Sequence, residues 1–414
     1  MEFARIKARP GFARLGLGGL AAALAVELVD ELVDGTKSAA MPLIRHDLAL
    51  SYLEIGLLTA VPLVVGSILE LPVGIISGAG SRRRRIILAG GLVFIASVLA
   101  AGLATSFAGL LIALTIFFPA SGMFVSLTQA ALIDSAPDRR AQYMARWTLA
   151  GSIGAVTGPV VVAIVLGAGG TWRLSFVLIA ALSAAAWCAV AWTGRVDKTN
   201  PQHGNGADPN PTDPENAVRE DQAWPGWRAA GSIVRRSGAL RWLLLLEVAN
   251  LLLDVLTPFL ALYLVAVEHV APFVAALAVA VRLAAGLAGD VIVIRTLARL
   301  ESRRVLRASM WAALALLPAF LLLPGLASKL VLLAALTIAT APWYPVLQAE
   351  LYGSLPGRSG LAVSLTSASG LLGALGPLTV GLLAERFGLA WAMAALCIVP
   401  VLMLVIPAGG RDGS

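Results

Sequence analysis

Charge is the scarcest property of this sequence: only 13% of its 414 residues are Asp, Glu, Lys or Arg, against 58% hydrophobic residues, about half the charge of an average soluble protein. A chain so poor in charge, with a mean hydropathy of +0.85, cannot cover a water-facing surface. Cysteine is nearly absent. Cys188 and Cys397 each sit inside an apolar run, as small buried hydrophobes do, which excludes a disulfide framework. His46, His203 and His269 are scattered without metal-ligand spacing, so no metal is expected. No nucleotide-binding loop and no Ser/His/Asp constellation occurs, which excludes ATP-driven transport within the chain and leaves no sign of an enzyme or of a cofactor. The net charge of +7 raises the question of nucleic acid. Yet the basic residues stand in short clusters between apolar runs, with no aromatic-interleaved basic face, so no nucleic-acid partner is expected.

What the chain does have is long apolar runs. A membrane span needs roughly 20 mostly apolar residues, because hydrocarbon offers no water to backbone groups. Such runs fall near 17–44, 52–77, 86–104, 108–133, 147–168 and 174–193, and again near 243–266, 272–293, 305–325, 330–353, 360–384 and 389–407. The pattern is six, a break, and six, which predicts an all-α membrane protein of twelve helices in two bundles, 1–194 and 242–414. Arg5, Lys7 and Arg9 ahead of the first run imitate a signal peptide. The run continues into Glu27, Asp30 and Glu31 with no small-residue cleavage site, so it reads as a retained first span. In the break, 195–241, residues 200–222 are rich in Pro, Asn, Asp and Gly and are predicted to be disordered. Trp224 to Trp242 mixes tryptophans with Arg228, Arg235 and Arg236, which suits either a helix lying among headgroups or an ordinary linker. The loops expected outside hold only Arg45, Arg173, Lys329 and Arg386. Most other Lys and Arg fall on the opposite side, so both termini are expected in the cytoplasm, with the chain a multi-pass protein of the inner membrane.

The two halves repeat one another. Gln129-Ala-Ala-Leu-Ile-Asp-Ser-Ala-Pro137-Asp-Arg139 returns as Gln348-Ala-Glu-Leu-Tyr-Gly-Ser-Leu-Pro356-Gly-Arg358. Gly154-x-x-x-Gly158-Pro159 is echoed by Gly370-x-x-Gly373-x-x-Gly376-Pro377, Glu27, Asp30 and Asp34 by Glu247, Asn250 and Asp254, and Glu70-x-x-x-Gly74 by Arg282-x-x-x-Gly286. Duplicated bundles of this kind meet around a site at the bilayer midplane. Positions i, i+3 and i+7 lie within roughly 60° around a helix, so each half carries a polar stripe on its first helix.

Six plus six spans, a basic loop after the second and glycine-proline motifs in the fifth and eleventh resemble the major facilitator superfamily along essentially the whole chain. Within it, Pro42-Leu-Ile followed by Leu50-Ser-Tyr-x-Glu-Ile-Gly-Leu57 looks like the fosmidomycin-resistance type of efflux protein. The superfamily's loop signature, Gly-x-x-x-Asp-Arg-x-Gly-Arg-Arg, maps onto Gly74, then Gly78 in place of the aspartate, then Arg82 and Arg83. The second copy keeps the aspartate as Gly286-x-x-x-Asp290. The resemblance therefore implies a gate that leans on the C-terminal half. Gly154, Gly158 and Pro159 resemble the core of the antiporter motif without its trailing glycines, and imply export. Trp172-Arg173-x-x-Phe176 is also typical of the family.

Charges kept inside apolar runs are functional candidates because bilayers reject them. Glu27, Asp30, Glu31 and Asp34, with Glu247, Asn250 and Asp254 opposite, are expected to face a central cavity and serve proton coupling and a cationic or zwitterionic substrate. The competing reading makes several of them structural partners of Lys37, Arg146 or Arg282. Glu70 and Arg282 form either a pair across the gate or two pairs within their own halves. Trp343 and Tyr344, between Pro342 and Pro345, line the cavity or belong to an interfacial aromatic belt. Gln129 and Gln348 contact substrate or join helices. Gly154, Gly158, Pro159, Gly373, Gly376 and Pro377 serve close packing and bends. The expected protein is a monomeric carrier exporting a small organic molecule in exchange for protons, with nutrient uptake and lipid translocation as the alternatives.

Overall fold

Long apolar runs in hydrocarbon have to satisfy their own backbone groups, and helices do so within one segment. The computed structural model describes residues 17–77, 81–135, 140–196, 238–354 and 373–406, and every regular element among them is a helix. The first half comprises α1 (Leu17–Asp47), α2 (Tyr52–Ser77), α3 (Ser81–Leu103), α4 (Phe107–Ser121), α5 (Leu127–Ser135), α6 (Arg140–Gly167) and α7 (Trp172–Val196). The second comprises α8 (Ala239–Ala266), α9 (Pro272–Leu297), α10 (Ser302–Leu322), α11 (Leu326–Thr340), α12 (Trp343–Gly353), α13 (Leu375–Phe387), α14 (Leu389–Ala395) and α15 (Ile398–Val405). The predicted linker helix near 224–242 lies outside the described residues except for its last few positions, as does the predicted disordered stretch 200–222.

Among the described residues nine helical stretches are long and apolar enough to cross a membrane. At 31 residues α1 has the length but carries the acidic stripe; with α13 and the α14–α15 pair it completes the twelve-span fold. Three spans are interrupted within the described residues. α4 passes into α5 through a π-helical segment, Gly122–Ser126, just after Pro119, whose missing N–H leaves a gap in the hydrogen-bond ladder. α11 gives way to α12 across Ala341 and Pro342, and α14 to α15 across Leu396 and Cys397. Large apolar side chains such as Leu103, Ile112 and Ile164 face outward, each at least 60% exposed, a liability in water and the expected state against lipid chains.

At the end away from the start of α1 the connections are short turns, 48–51, 104–106, 168–171, 267–271, 323–325 and 388. Polar clamps fasten this end in each half. In the first, Asp47 accepts a hydrogen bond from the Trp172 indole at 3.1 Å and pairs with Arg173, which also donates to the Ala104 carbonyl at 3.0 Å. These donors hold the Asp47 carboxyl below the usual carboxylate range. In the second, Lys329 pairs with Glu268 at 2.9 Å and donates to the Phe320 carbonyl at 2.8 Å, while the Tyr263 hydroxyl donates to Glu268 at 2.9 Å. Each clamp ties the end of its half's first helix to the carboxyl end of its third, using a cation from a different place. Lys329 thereby departs from the loop position expected of it: it sits in the first turn of α11 and is 2% exposed, because carbonyls and Glu268 replace its water.

In the first half α1 packs on α6 and α7, α3 on α4 and α7, and α2 on α4. In the second, α8 packs on α9, α12 and α15, and α11 on α9 and α10. The halves meet through α2 with α13, α6 with α9, and α1 with both α8 and α9.

Candidate functional site

The pairing of α1 with α6 sets the site. On α1, Val26, Val29 and Val33 are at most 3% exposed and fill the first bundle, which turns Glu27 and Glu31, one helical turn apart, the other way. Gly154 and Gly158 let α6 approach until backbone meets backbone: a Cβ at Gly158 would stand 2.6 Å from the Leu32 carbonyl oxygen. Gly151 leaves room for the Glu27 carboxylate in the same way, since a Cβ there would lie 2.6 Å from one of its oxygens. The second half echoes this contact, with Gly376 against Leu251 and Val255 of α8 and Gly373 against Glu247.

Between the halves lies a cavity of about 450 Å³, walled by α1, α5 and α6 on one side and α8, α9 and α11 on the other. Glu27, Glu31, Gln129, Trp147 and Ser152 face it from the first half; Arg282, Gly286, Asp290, Thr337 and Thr340 face it from the second. Beyond one end of this space the halves touch. Glu385 of α13 accepts a hydrogen bond from the Tyr52 amide at the start of α2 at 2.9 Å. Gly56 and Gly381 bring α2 and α13 into backbone contact, a Cβ at Gly381 lying 2.6 Å from the Tyr52 carbonyl oxygen. Toward the other end, Thr148 and Asp290 are exposed.

Asp30, Asp34, Glu247, Asn250, Asp254, Trp343, Tyr344 and Gln348 are not among the described residues that line this cavity. Asp30 accepts a hydrogen bond from Ser121 at 2.9 Å within the first bundle. Asp34 pairs with Lys37 at 2.5 Å, and Lys37 also lies over the Phe118 ring. Arg282 is held from its own half, donating to Thr257 and, at 3.3 Å, to the Leu253 carbonyl. The Glu70 side chain and Gly78 lie outside what is described, so the reading of Glu70 and Arg282 as a pair across the gate is not carried forward. Trp343 is fully buried and donates to Ser309 of α10 at 2.9 Å, whereas Tyr344 is 45% exposed. Asp254 is exposed, and Glu247, Asn250 and Gln348 are partly covered. Arg82 is exposed and Arg83 partly covered at the start of α3. Sequence reasoning missed Trp147, Ser152, Thr337, Thr340 and Glu385. A Thr pair three apart in an apolar span was the available signal for two of them; Glu385 carried none, since a charge at a span's end is ordinary.

No curated protein sequence matches the chain. The fold is shared with a bacterial homologue of the human lysosomal transporter Spinster in an inward-facing, unoccupied conformation, with a TM-score of 0.74 at 17% identity over 94% of this chain and 96% of that one. It is shared also with the nucleoside transporter NupG, at a TM-score of 0.70 and 13% identity over 94% and 97%. The peptide transporter POT, in complex with sulfate, gives a TM-score of 0.70 at 13% identity over 96% of each chain. Two six-helix halves around a shared cavity are the architecture of carriers, and residues 23–349 match the model of the Major Facilitator Superfamily; the chain belongs to that superfamily and is a membrane transporter, not an enzyme.

Proposed function

We propose that the chain is a proton-coupled secondary carrier that exports a small organic cation or zwitterion by alternating access. Its termini face the cytoplasm of a cell whose inner membrane it spans. One observation carries the reading: Glu27 and Glu31, well inside α1, face a cavity shared by both halves, and a carboxylate kept within a spanning helix has a use. A carboxylate whose hydration changes between the inward and outward states takes up a proton in one and releases it in the other, and substrate moving the opposite way completes the exchange. Asp34 pairs with Lys37 and Asp30 turns to Ser121 inside its own bundle, whereas Glu27, which also accepts a hydrogen bond from Trp147, and Glu31 face the cavity, so the coupling role falls to these two. The α1–α6 glycine contact, built on residues that resemble the antiporter motif, supports export.

The test is flux in proteoliposomes under an imposed pH gradient, with cationic, zwitterionic, neutral and anionic compounds. The Glu27→Gln and Glu31→Gln variants are expected to abolish substrate-driven proton movement, singly or together. Full proton-coupled flux in the doubly substituted protein would overturn the assignment.

A further inference from the structure

We infer that the substrate is amphoteric, carrying a carboxylate that Arg282 receives and an ammonium group that Glu27 and Glu31 receive. The inference rests on the carrier reading above and narrows its substrate class.

Arg282 lies near the middle of α9, faces the cavity and is 8% exposed. A guanidinium withdrawn from water needs an anion or a full set of acceptors. Among the described ion pairs none includes Arg282. Among the described residues its five N–H groups meet the Thr257 hydroxyl and the Leu253 carbonyl of α8, and its Nε is buried without a hydrogen-bond partner. Asp254 is the acid that acts on it electrostatically, yet that carboxylate is itself exposed and does not cap the fork. The two bonds to α8 fix the plane of the guanidinium from one side. Each Nη keeps a second hydrogen, so what Arg282 offers the cavity is a charged donor held in place from α8, of the kind that pairs with a carboxylate.

The opposite wall supplies the complementary charge. Glu27 and Glu31 face the same space from α1. Asp290 also lines it, eight residues from Arg282 along α9 and so roughly 12 Å away, toward the exposed end. A plain amine would satisfy the glutamates and leave Arg282 unmatched, and a plain anion would do the reverse. A molecule with both groups matches both halves at once, drawing them together around itself, and about 450 Å³ is within the range of small-molecule sites. Gln129, Trp147, Thr148, Ser152, Thr337 and Thr340 are the neutral polar groups lining the cavity that are left for whatever lies between the charges.

The experiment compares matched pairs in proteoliposomes: phenylalanine with phenethylamine, tryptophan with tryptamine, arginine with agmatine. The wild type is expected to prefer the carboxylate-bearing member of at least one pair by about 10-fold or more, the ratio a charge-assisted hydrogen bond yields. Arg282→Gln is expected to erase that preference, the ratio of amphoteric to amine flux falling about 10- to 100-fold. Arg282→Lys, which keeps the charge and loses the fork, should fall between and guards against misfolding. Glu31→Gln should lose both members of the pair. A wild type that moves amines alone, or an Arg282→Gln protein that keeps the preference, overturns the inference and leaves the carrier reading standing. A wild type with no flux of any compound overturns the carrier reading and the inference with it.

Discussion

A carboxylate in this chain does what its partners dictate. Asp47, at the tip of α1, is held in its charged form by Arg173 and the Trp172 indole. Its native pKa is depressed, so its contribution to stability is fully present above the unfolded carboxylate value of about 3.9 and fades as pH falls through the lower native value. Asp47→Asn is therefore expected to lower the melting temperature in detergent near neutral pH, with the gap to wild type closing once pH falls well below 4. An equal gap at pH 7 and in strong acid would show that charge at position 47 contributes nothing. The same logic limits what could be read from α1 beforehand. Its carboxylates stood out in the sequence as charges in an apolar run. Asp30 and Glu31, however, differ by one step of about 100° around the helix, and that step sends one to Ser121 and the other to the cavity. Which side of α1 faced its own bundle was settled by α6, and no single helix contains that information. Trp343 is the converse case: its place between two prolines left it open to the cavity or to an interfacial belt, and its indole went to Ser309.

Helices here approach as closely as their smallest residues permit. At Gly158 an added methyl group would meet the Leu32 carbonyl oxygen and the Thr36 amide nitrogen, each at 2.6 Å. These are backbone atoms of α1 with no rotamer to relieve them. Gly158→Ala is expected to cost about 1–3 kcal/mol, the range for overpacking a dense interior, seen as a lower melting temperature and reduced flux. Gly167, at the end of the same helix, has nothing within 4 Å of such a methyl; Gly167→Ala should be near neutral, and similar losses at both positions would refute the packing argument. Glycine spacing was readable in advance because a repeated small residue has few uses other than contact. The break between α11 and α12 falls at Ala341 and Pro342, where proline has no N–H for the ladder. The π-helical segment after Pro119 was not readable, because a proline in a span fixes only that the ladder is interrupted, and the neighbouring helices choose how it is repaired. Residues 326–329 joined α11 for a similar reason: Lys329 looks like a loop residue until Glu268 and two carbonyls are placed around it.

The six-plus-six arrangement follows from hydropathy and duplication, but the state of the carrier does not. Two conformations of one chain share every residue and differ by a few kcal/mol, so composition and motif are silent on which end is shut. Here the halves meet beyond the cavity end opposite the start of α1, where α2 and α13 touch at Gly56 and Gly381 and the Glu385 carboxylate accepts the Tyr52 amide at the amino end of α2. A carboxylate at a helix amino terminus is favourable both as a hydrogen-bond acceptor and against the helix dipole. Among the described contacts, this hydrogen bond has to break for that end to open. Glu54 accepts the Ser51 amide in the same turn, so α2 keeps one cap of its own and the loss of Glu385 should not unravel it. Removing Glu385 as Glu385→Ala therefore acts on the balance between states more than on folding. A solvent-exposed bond of this kind is worth about 1 kcal/mol, which shifts the population toward opening at that end about fivefold. Paired spin labels placed across the tips of α2 and α13 read the change as growth of a longer distance. An unchanged distance distribution in Glu385→Ala, with Gly381→Ala opening the same end through its clash with the Tyr52 carbonyl, would assign the closure to backbone packing alone. Growth of the long distance in both variants would make the Glu385 cap and the glycine contact two parts of one latch.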